Sequence, residues 1–258
     1  MKKTLCFIGI FTLMFADIIY AQTAAEIVDA SRNRISANTV STRSRMIITA
    51  KDGSKTERVI DQYSKDDPKG NSRTIIVFQS PASVAGTRFL TVENPGKSNN
   101  QWIFLPEFGK SRRVDASEGS GNFMGTDMSY DDISSANRDP GLDTHTLIRE
   151  ENMNGQACYV IQSIPKDSSY QYSKIIQWID KNTKIAYKIE LYDKRGTQVK
   201  ILETSQVREV QGRLTPIVTK MTTLAAGTST TITVEIIKYD DPIPEGVFTT
   251  RYLETGRP

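Results

Sequence analysis

Apolar positions along this chain recur mostly at every second residue. Ile185, Tyr187, Ile189 and Leu191 alternate with Lys184, Lys188 and Glu190, and Ile232, Val234 and Ile236 alternate with Thr231, Thr233 and Glu235. A period of two places each apolar set on one face of a pleated strand. The same rhythm predicts strands over 40–50, 55–64, 73–80, 87–92, 101–105 and 110–114, then over 144–149, 156–163, 174–179, 184–192, 197–210, 214–223 and 228–239. Asp52-Gly53 and Asn154-Gly155 are two-residue hairpin signals, and Pro81, Gly86 and Gly109 mark further turns. Helical spacing occurs once with conviction. Thr23-Ala-Ala-Glu26 fits a capping box, and Ile27, Val28, Ser31 and Ile35 follow on one stripe, which predicts a helix over 24–36. So many consecutive hairpins must curl or close. The pattern therefore predicts a mainly β (α+β) fold: a curved or partly closed antiparallel barrel, with the helix over its open side or in its interior.

Residues 101–133 break the rhythm. Gln101–Leu105 is an aromatic run stopped by Pro106, Gly109 turns the chain, and Lys110–Val114 returns as a basic strand. The stretch after Val114 mixes Gly119, Gly121 and Gly125 with Phe123 and Met124. Large apolar side chains in a Gly-rich loop either plug the molecule's own core or line the underside of a flap over a hydrophobic cavity. Asp127 is placed to cap a short helical turn, with Asp131 and Asp132 near its positive end. The tail Pro242-Ile-Pro-Glu-Gly-Val-Phe248 reads as a last extended segment packed on the barrel.

Trp102-Ile-Phe-Leu-Pro106, Gly109-Lys-Ser-Arg-Arg113, and Gly121-Asn-Phe-Met-Gly-Thr-Asp127 with Tyr130-Asp-Asp-Ile133 resemble the signature of the outer-membrane lipoprotein-sorting family, periplasmic relatives of the LolA and LolB carriers. The resemblance implies a half-open antiparallel β-barrel with short lid helices around an apolar cavity. It implies acylated lipoprotein or lipid as cargo, an inner-membrane transporter of the ABC or RND type as donor, and an outer-membrane acceptor. The cavity side chains expected on this reading are Met46, Ile48, Trp102, Phe104 and Phe123, together with Met124, Met128, Tyr130, Ile185 and Tyr187. Lys110, Arg112 and Arg113 would meet lipid phosphates or an acidic partner at the mouth, or else form the solvated face of a strand.

Charge and leader sharpen this picture. Met1-Lys2-Lys3 followed by an apolar run over 5–15 and small Ala21 before Gln22 reads as a cleaved signal peptide, too short to span a bilayer. The mature chain, 22–258, is expected to be exported, periplasmic and one domain. A formal net charge of +3, barely altered by loss of Lys2, Lys3 and Asp17, lacks the basic stripe of a nucleic-acid binder. Only Cys158 remains after cleavage, so no internal disulfide is expected and the fold must rest on its core. One histidine and one cysteine leave no ordinary zinc set, and no cofactor motif or nucleotide-binding loop is present.

A lipid hydrolase is the competing chemistry. It would have to use His145, with Ser117 or Ser120 as nucleophile and Asp127, Asp131, Asp132 or Asp143 as the third member. No G-x-S-x-G elbow is present, and His145 is expected as a solvated imidazole at the start of a strand. A third reading is an envelope adaptor with a filled core and no cavity.

Overall fold

In the computed structural model, which describes residues 22–134 and 138–258, thirteen strands form one antiparallel sheet. They are β1 (Thr39–Thr49), β2 (Lys55–Asp66), β3 (Ser72–Ser80), β4 (Arg88–Val92), β5 (Asn100–Leu105), β6 (Lys110–Arg113) and β7 (Asp143–Met153). The series continues with β8 (Gln156–Pro165), β9 (Lys174–Asp180), β10 (Ala186–Tyr192), β11 (Gln198–Val210), β12 (Arg213–Thr223) and β13 (Thr228–Tyr239). The spatial order runs β6 to β1, then β13 back to β7. Two meanders thus meet where β1 pairs β13, with Val40 opposite Tyr239 and Met46 opposite Ile232. β6 and β7 remain edges, so the curved sheet stays open, as the half-open reading expected. The expected leader, 1–21, lies outside the described residues.

Every predicted strand is present within a few residues, because hairpin chemistry fixes the turns. At Asp52-Gly53 the Gly takes φ 85°, and Ala50 N–H closes the turn on the Ser54 carbonyl at 2.9 Å. The helix differs. α1 (Ala24–Arg32) has the expected reciprocal Thr23/Glu26 cap but stops short of residue 36. Arg213 Nε donates to the Ser36 carbonyl at 2.9 Å, and Asn38 N–H donates to Asp240 Oδ1 at 2.7 Å. These bonds draw residues 34–38 into a link to β1, which ends the helical ladder.

The C-terminal tail corrects the expectation of an extended segment. A short helix, α2 (Tyr130–Ser134), lies in the long crossing from β6 to β7, and a second, α3 (Thr250–Thr255), lies in the tail. A 3-10 turn over Glu245–Phe248 leads into α3, which Thr249 caps by accepting from Tyr252 N–H at 3.1 Å. Gly256 ends it at φ 65°, the left-handed geometry that a C-terminal stop favours. Val247, Phe248 and Leu253 thereby bury Ile75, Val77, Leu90 and Phe104 on the convex face of β3–β5. Those strands are apolar on both faces, since Ile76, Phe89 and Ile103 point the other way. α1 seats Ile27 on Ile161 and Ile179 across the open side near β7 and β9.

The cap of α2 is Ser129, not Asp127 as the sequence suggested. Ser129 Oγ accepts from Asp132 N–H at 3.0 Å, and Asp132 Oδ2 accepts from Ser129 N–H at 2.9 Å. Asp127 is committed elsewhere, to the hydroxyls of Thr228 and Thr230 on β13.

Candidate functional site

The concave face of the sheet is filled at one end and open at the other. At the filled end Phe123 is fully buried, its ring 4.9 Å from Phe89, 5.8 Å from Phe78 and 5.6 Å edge-on to Tyr130. Met46, Ile60 and Ile103 complete this floor, with Ile48, Met124 and Tyr130 packed against it. The Gly-rich loop is therefore a plug. Asp127 ties it to β13, and Arg58 Nη1 donates to the Met124 carbonyl at 2.6 Å.

Beyond the floor lies a cavity of about 620 Å³, within the ~300–1,000 Å³ typical of ligand sites. Strand register grades its wall. Ile60 and Phe78 are opposite each other nearest the plug. Two residues further along the strands come Gln62, Ile76 and Phe89. Two further still, Ser64, Thr74 and Thr91 form an all-hydroxyl row. That row continues through Val40 to Tyr239, because Ser64 faces Val40 and Val40 faces Tyr239. On the other meander Met221, Leu202 and Ile189 make an apolar row, while Thr219 and Thr204 lie next to it. Inward side chains alternate with outward ones, so the cavity lining is the same period-two signal read from the sequence.

Charged groups also line the cavity. α1 and the link after it bring Ser31, Arg32 and Arg34 to the cavity, and Arg138, Asp143 and Asp132 line it from the crossing segment. Arg32 pairs with Glu93, and Arg138 pairs with Asp143 at 2.7 Å while stacking 4.0 Å above Tyr170. Asp132 accepts from Lys200 at 2.7 Å and from the Tyr172 hydroxyl at 2.8 Å. Burial, reinforced by Asp132, pushes the Tyr172 phenol far above its usual range. Burial also raises the neighbouring Asp131 carboxyl to about 6, with Asp132 adding to the effect and Arg138 opposing it. Burial lowers the Arg34 guanidinium, opposed by the nearby Tyr239 and Tyr187.

The side chains expected at the site divide into three groups. Met46, Met128 and Ile185 line the cavity, whereas Ile48, Phe123, Met124 and Tyr130 form or brace its floor. Trp102 and Phe104 do not belong to it: strand parity turns both to the convex face, under α3 and the tail. Tyr187, in a bulge of β10 between Ala186 and Lys188, is half-buried outside the lining. Lys110, Arg112 and Arg113 sit on the edge strand β6 rather than at the cavity. Arg112 pairs with Glu118 at 2.8 Å, and Arg113 donates to Asn100 Oδ1 at 2.5 Å. The cavity's cations are Arg32, Arg34 and Arg138 instead. A helix stripe with polar flanks carried that signal in the sequence, since a helix lying across an open mouth turns part of its polar face inward.

The hydrolytic set is not brought together. Ser117 and Ser120 are exposed in the crossing loop, and Asp127 is bound to β13. His145 corrects its own expectation: it is half-buried and lines the cavity, because it shares the inward face of β7 with Asp143. Its Nε2 donates to the Pro140 carbonyl at 2.9 Å, which leaves Nδ1 to accept from the Ser163 hydroxyl at 2.8 Å. Ser163 is fully buried, and Asp143 is held by Arg138 rather than by the imidazole. Among the described residues no group of three His, Cys, Asp or Glu side chains is placed to hold a metal, and no helix is long and apolar enough to cross a membrane.

Comparison with known proteins accords with this architecture. A family model described as an uncharacterized protein matches residues 70–255, most of the chain. A DUF1329 family protein from Desulfovibrio piger is 26% identical and superposes with a TM-score of 0.84, over 89% of this chain and 97% of its own. A protein described as an outer membrane lipoprotein-sorting domain, from Vibrio parahaemolyticus, gives 0.84 at 24% identity, over 90% and 98%. A LolA superfamily protein from Nitrosomonas europaea gives 0.72 at 23% identity, over 90% and 100%. No curated protein matches the sequence. Matched from β3 to α3, the chain belongs to the family whose model covers residues 70–255, and its fold is that of the LolA-like, outer-membrane lipoprotein-sorting proteins.

Proposed function

We propose that this protein is a periplasmic, non-enzymatic carrier that shields acyl chains of a lipoprotein or lipid on their way between the inner and outer membranes. The observation that carries the reading is the unfilled, largely apolar cavity of about 620 Å³ beside a packed floor. Interiors ordinarily close-pack to crystal density, so a cavity of this size inside a cooperative sheet is space kept for something. A filled-core adaptor has no use for it.

Energetics constrain how such a carrier works. An acyl chain gains ~0.8 kcal/mol per methylene on leaving water, and a bilayer already supplies that gain. Ser64, Thr74, Thr91, Thr204 and Thr219 make this cavity a poorer apolar solvent than a bilayer. Loading must then be driven from outside, and delivery to a membrane runs downhill. With no nucleotide-binding loop in the chain, the drive belongs to a partner, an inner-membrane transporter of the ABC or RND type, with an outer-membrane acceptor downstream.

Native mass spectrometry of protein purified from envelope extract, followed by organic extraction, tests the proposal. Intact acyl-bearing cargo at near one per chain is expected. Protein that carries no lipid and shields no acyl probe from water overturns it. The one observation favouring hydrolysis is the Ser163–His145 hydrogen bond. Bound cleaved fatty acid with lysolipid, abolished by His145→Ala, would move the assignment to an enzyme.

A further inference from the structure

The graded wall has a direction, and one cation stands at its polar end. Ser64, Thr74 and Thr91 occupy the row that runs through Val40 to Tyr239, farthest from the Phe123 plug. Arg34 bonds the carbonyl of Leu214, whose neighbour Thr215 meets the Tyr239 hydroxyl at 2.8 Å, and it lines the same cavity. Its bonding separates it from the other two guanidiniums there. Arg32 holds Glu93, and Arg138 holds Asp143. For Arg34 the partner is a backbone carbonyl, that of Leu214 at 2.7 Å, and among the described residues no carboxylate lies within ion-pair distance.

A guanidinium has five N–H donors in a planar fork that suits carboxylate and phosphate, and one hydrogen bond to a carbonyl leaves most of them unused. That bond lies at an exposed position, so the remaining donors are open to water or to an entering anion. The arrangement suits an acidic amphiphile: a cationic fork and a polar row at one end, in which Ser64 and Thr74 already bond each other at 2.9 Å, and Met46, Ile60, Ile76 and Phe89 at the other. An uncharged acyl chain, such as a lipoprotein's lipid tail presents, would leave the Arg34 donors to water and gain nothing from them.

Resting on the carrier reading above, we infer that the cavity selects anionic acyl lipids and holds them in one orientation. The carboxylate or phosphate of the headgroup is held by Arg34 near the hydroxyl row, and the chain points toward the Phe123 floor.

Competition for a bound uncharged fluorophore, N-phenyl-1-naphthylamine, tests this with dodecanoate, dodecyl phosphate and dodecanol, which share one chain and differ in the head. On the wild type one or both acids should compete about tenfold better than dodecanol, the effect of one charged hydrogen-bonded pair. The acid that gains more identifies the headgroup. Arg34→Gln should remove the acid advantage and leave dodecanol unchanged, which also checks that the variant folds; Arg34→Lys should keep part of it. Acids no better than dodecanol on the wild type, or an advantage that survives Arg34→Gln, overturns the inference while leaving the carrier intact. If dodecanol and the acids all fail to compete, the carrier reading fails and the inference with it.

Discussion

The two ends of the concave face use the same strands and the same alternation, yet one is packed solid and the other is not. At the plug, Phe123 meets Phe78 and Phe89 ring to ring and no space is left. Toward α1, the inward positions of β2, β3 and β4 change from Ile60, Phe78 and Phe89 to Ser64, Thr74 and Thr91, and nothing from the described part of the crossing segment fills the gap. Side-chain size and polarity, more than backbone, decide where the core stops. The packed end holds the fold together; the open end gives it capacity.

The contrast can be broken from the packed side with the largest effect. Phe123→Ala leaves a void among three aromatic rings and should cost about 3–5 kcal/mol in urea denaturation. A loss under ~1 kcal/mol would mean that the loop is a mobile flap and not a floor. The converse substitution fills the open end. Thr204→Trp adds bulk where room exists, so it should block acyl-probe binding while shifting stability by no more than about 1 kcal/mol. In a packed core the same change would destabilise the fold instead.

A third test uses pH. Asp131 has its folded pKa raised to about 6 from an ordinary value of 3.8, so its ionised form opposes folding. That penalty is fully present well above pH 6, shrinks as pH falls from 6 toward 4, and is gone only below the unfolded value of 3.8, where the carboxyl is protonated in both states. Asp131→Asn should therefore be more stable than the wild type at pH 7.5, by about 1–2 kcal/mol after allowance for partial exposure, and this pH-dependent difference should shrink below pH 6 and be lost only near pH 3, below the ordinary value of 3.8. A constant difference across that range would show that the carboxyl does not titrate there. Smallest of all, Arg112→Ala removes an exposed pair with Glu118 remote from the cavity. It should cost less than ~1 kcal/mol and leave probe binding unchanged.

The range of each interaction decides how much of this was legible in the sequence. Alternation and hairpin residues are local, so all thirteen strands were readable, as was the Thr23/Glu26 cap of α1. Strand parity was also local, and it could have put Trp102 and Phe104 outside once Ile103 was placed inside; what hid this was the apolar convex face, which makes both parities of β5 look buried. The end of α1 depended on Arg213 and Asp240, some two hundred residues away, and could not be read from residues 24–36. The helical tail was partly visible in Thr249 and Gly256, but Pro242 and Pro244 argued for extension. At the site, sequence pointed to the basic cluster Lys110–Arg113 because it is contiguous. The cations that line the cavity come from separate segments, Arg32 and Arg34 at α1 and Arg138 on the crossing, and only the curvature of the sheet unites them.

Diffraction at the bromine edge from crystals grown with 12-bromododecanoate shows whether the open end of the concave face is an acyl site. One anomalous peak is expected inside the cavity, near Met46, Phe89 and Ile232. Bromine found only on the molecular surface, or a cavity that stays empty at saturating ligand, would contradict it.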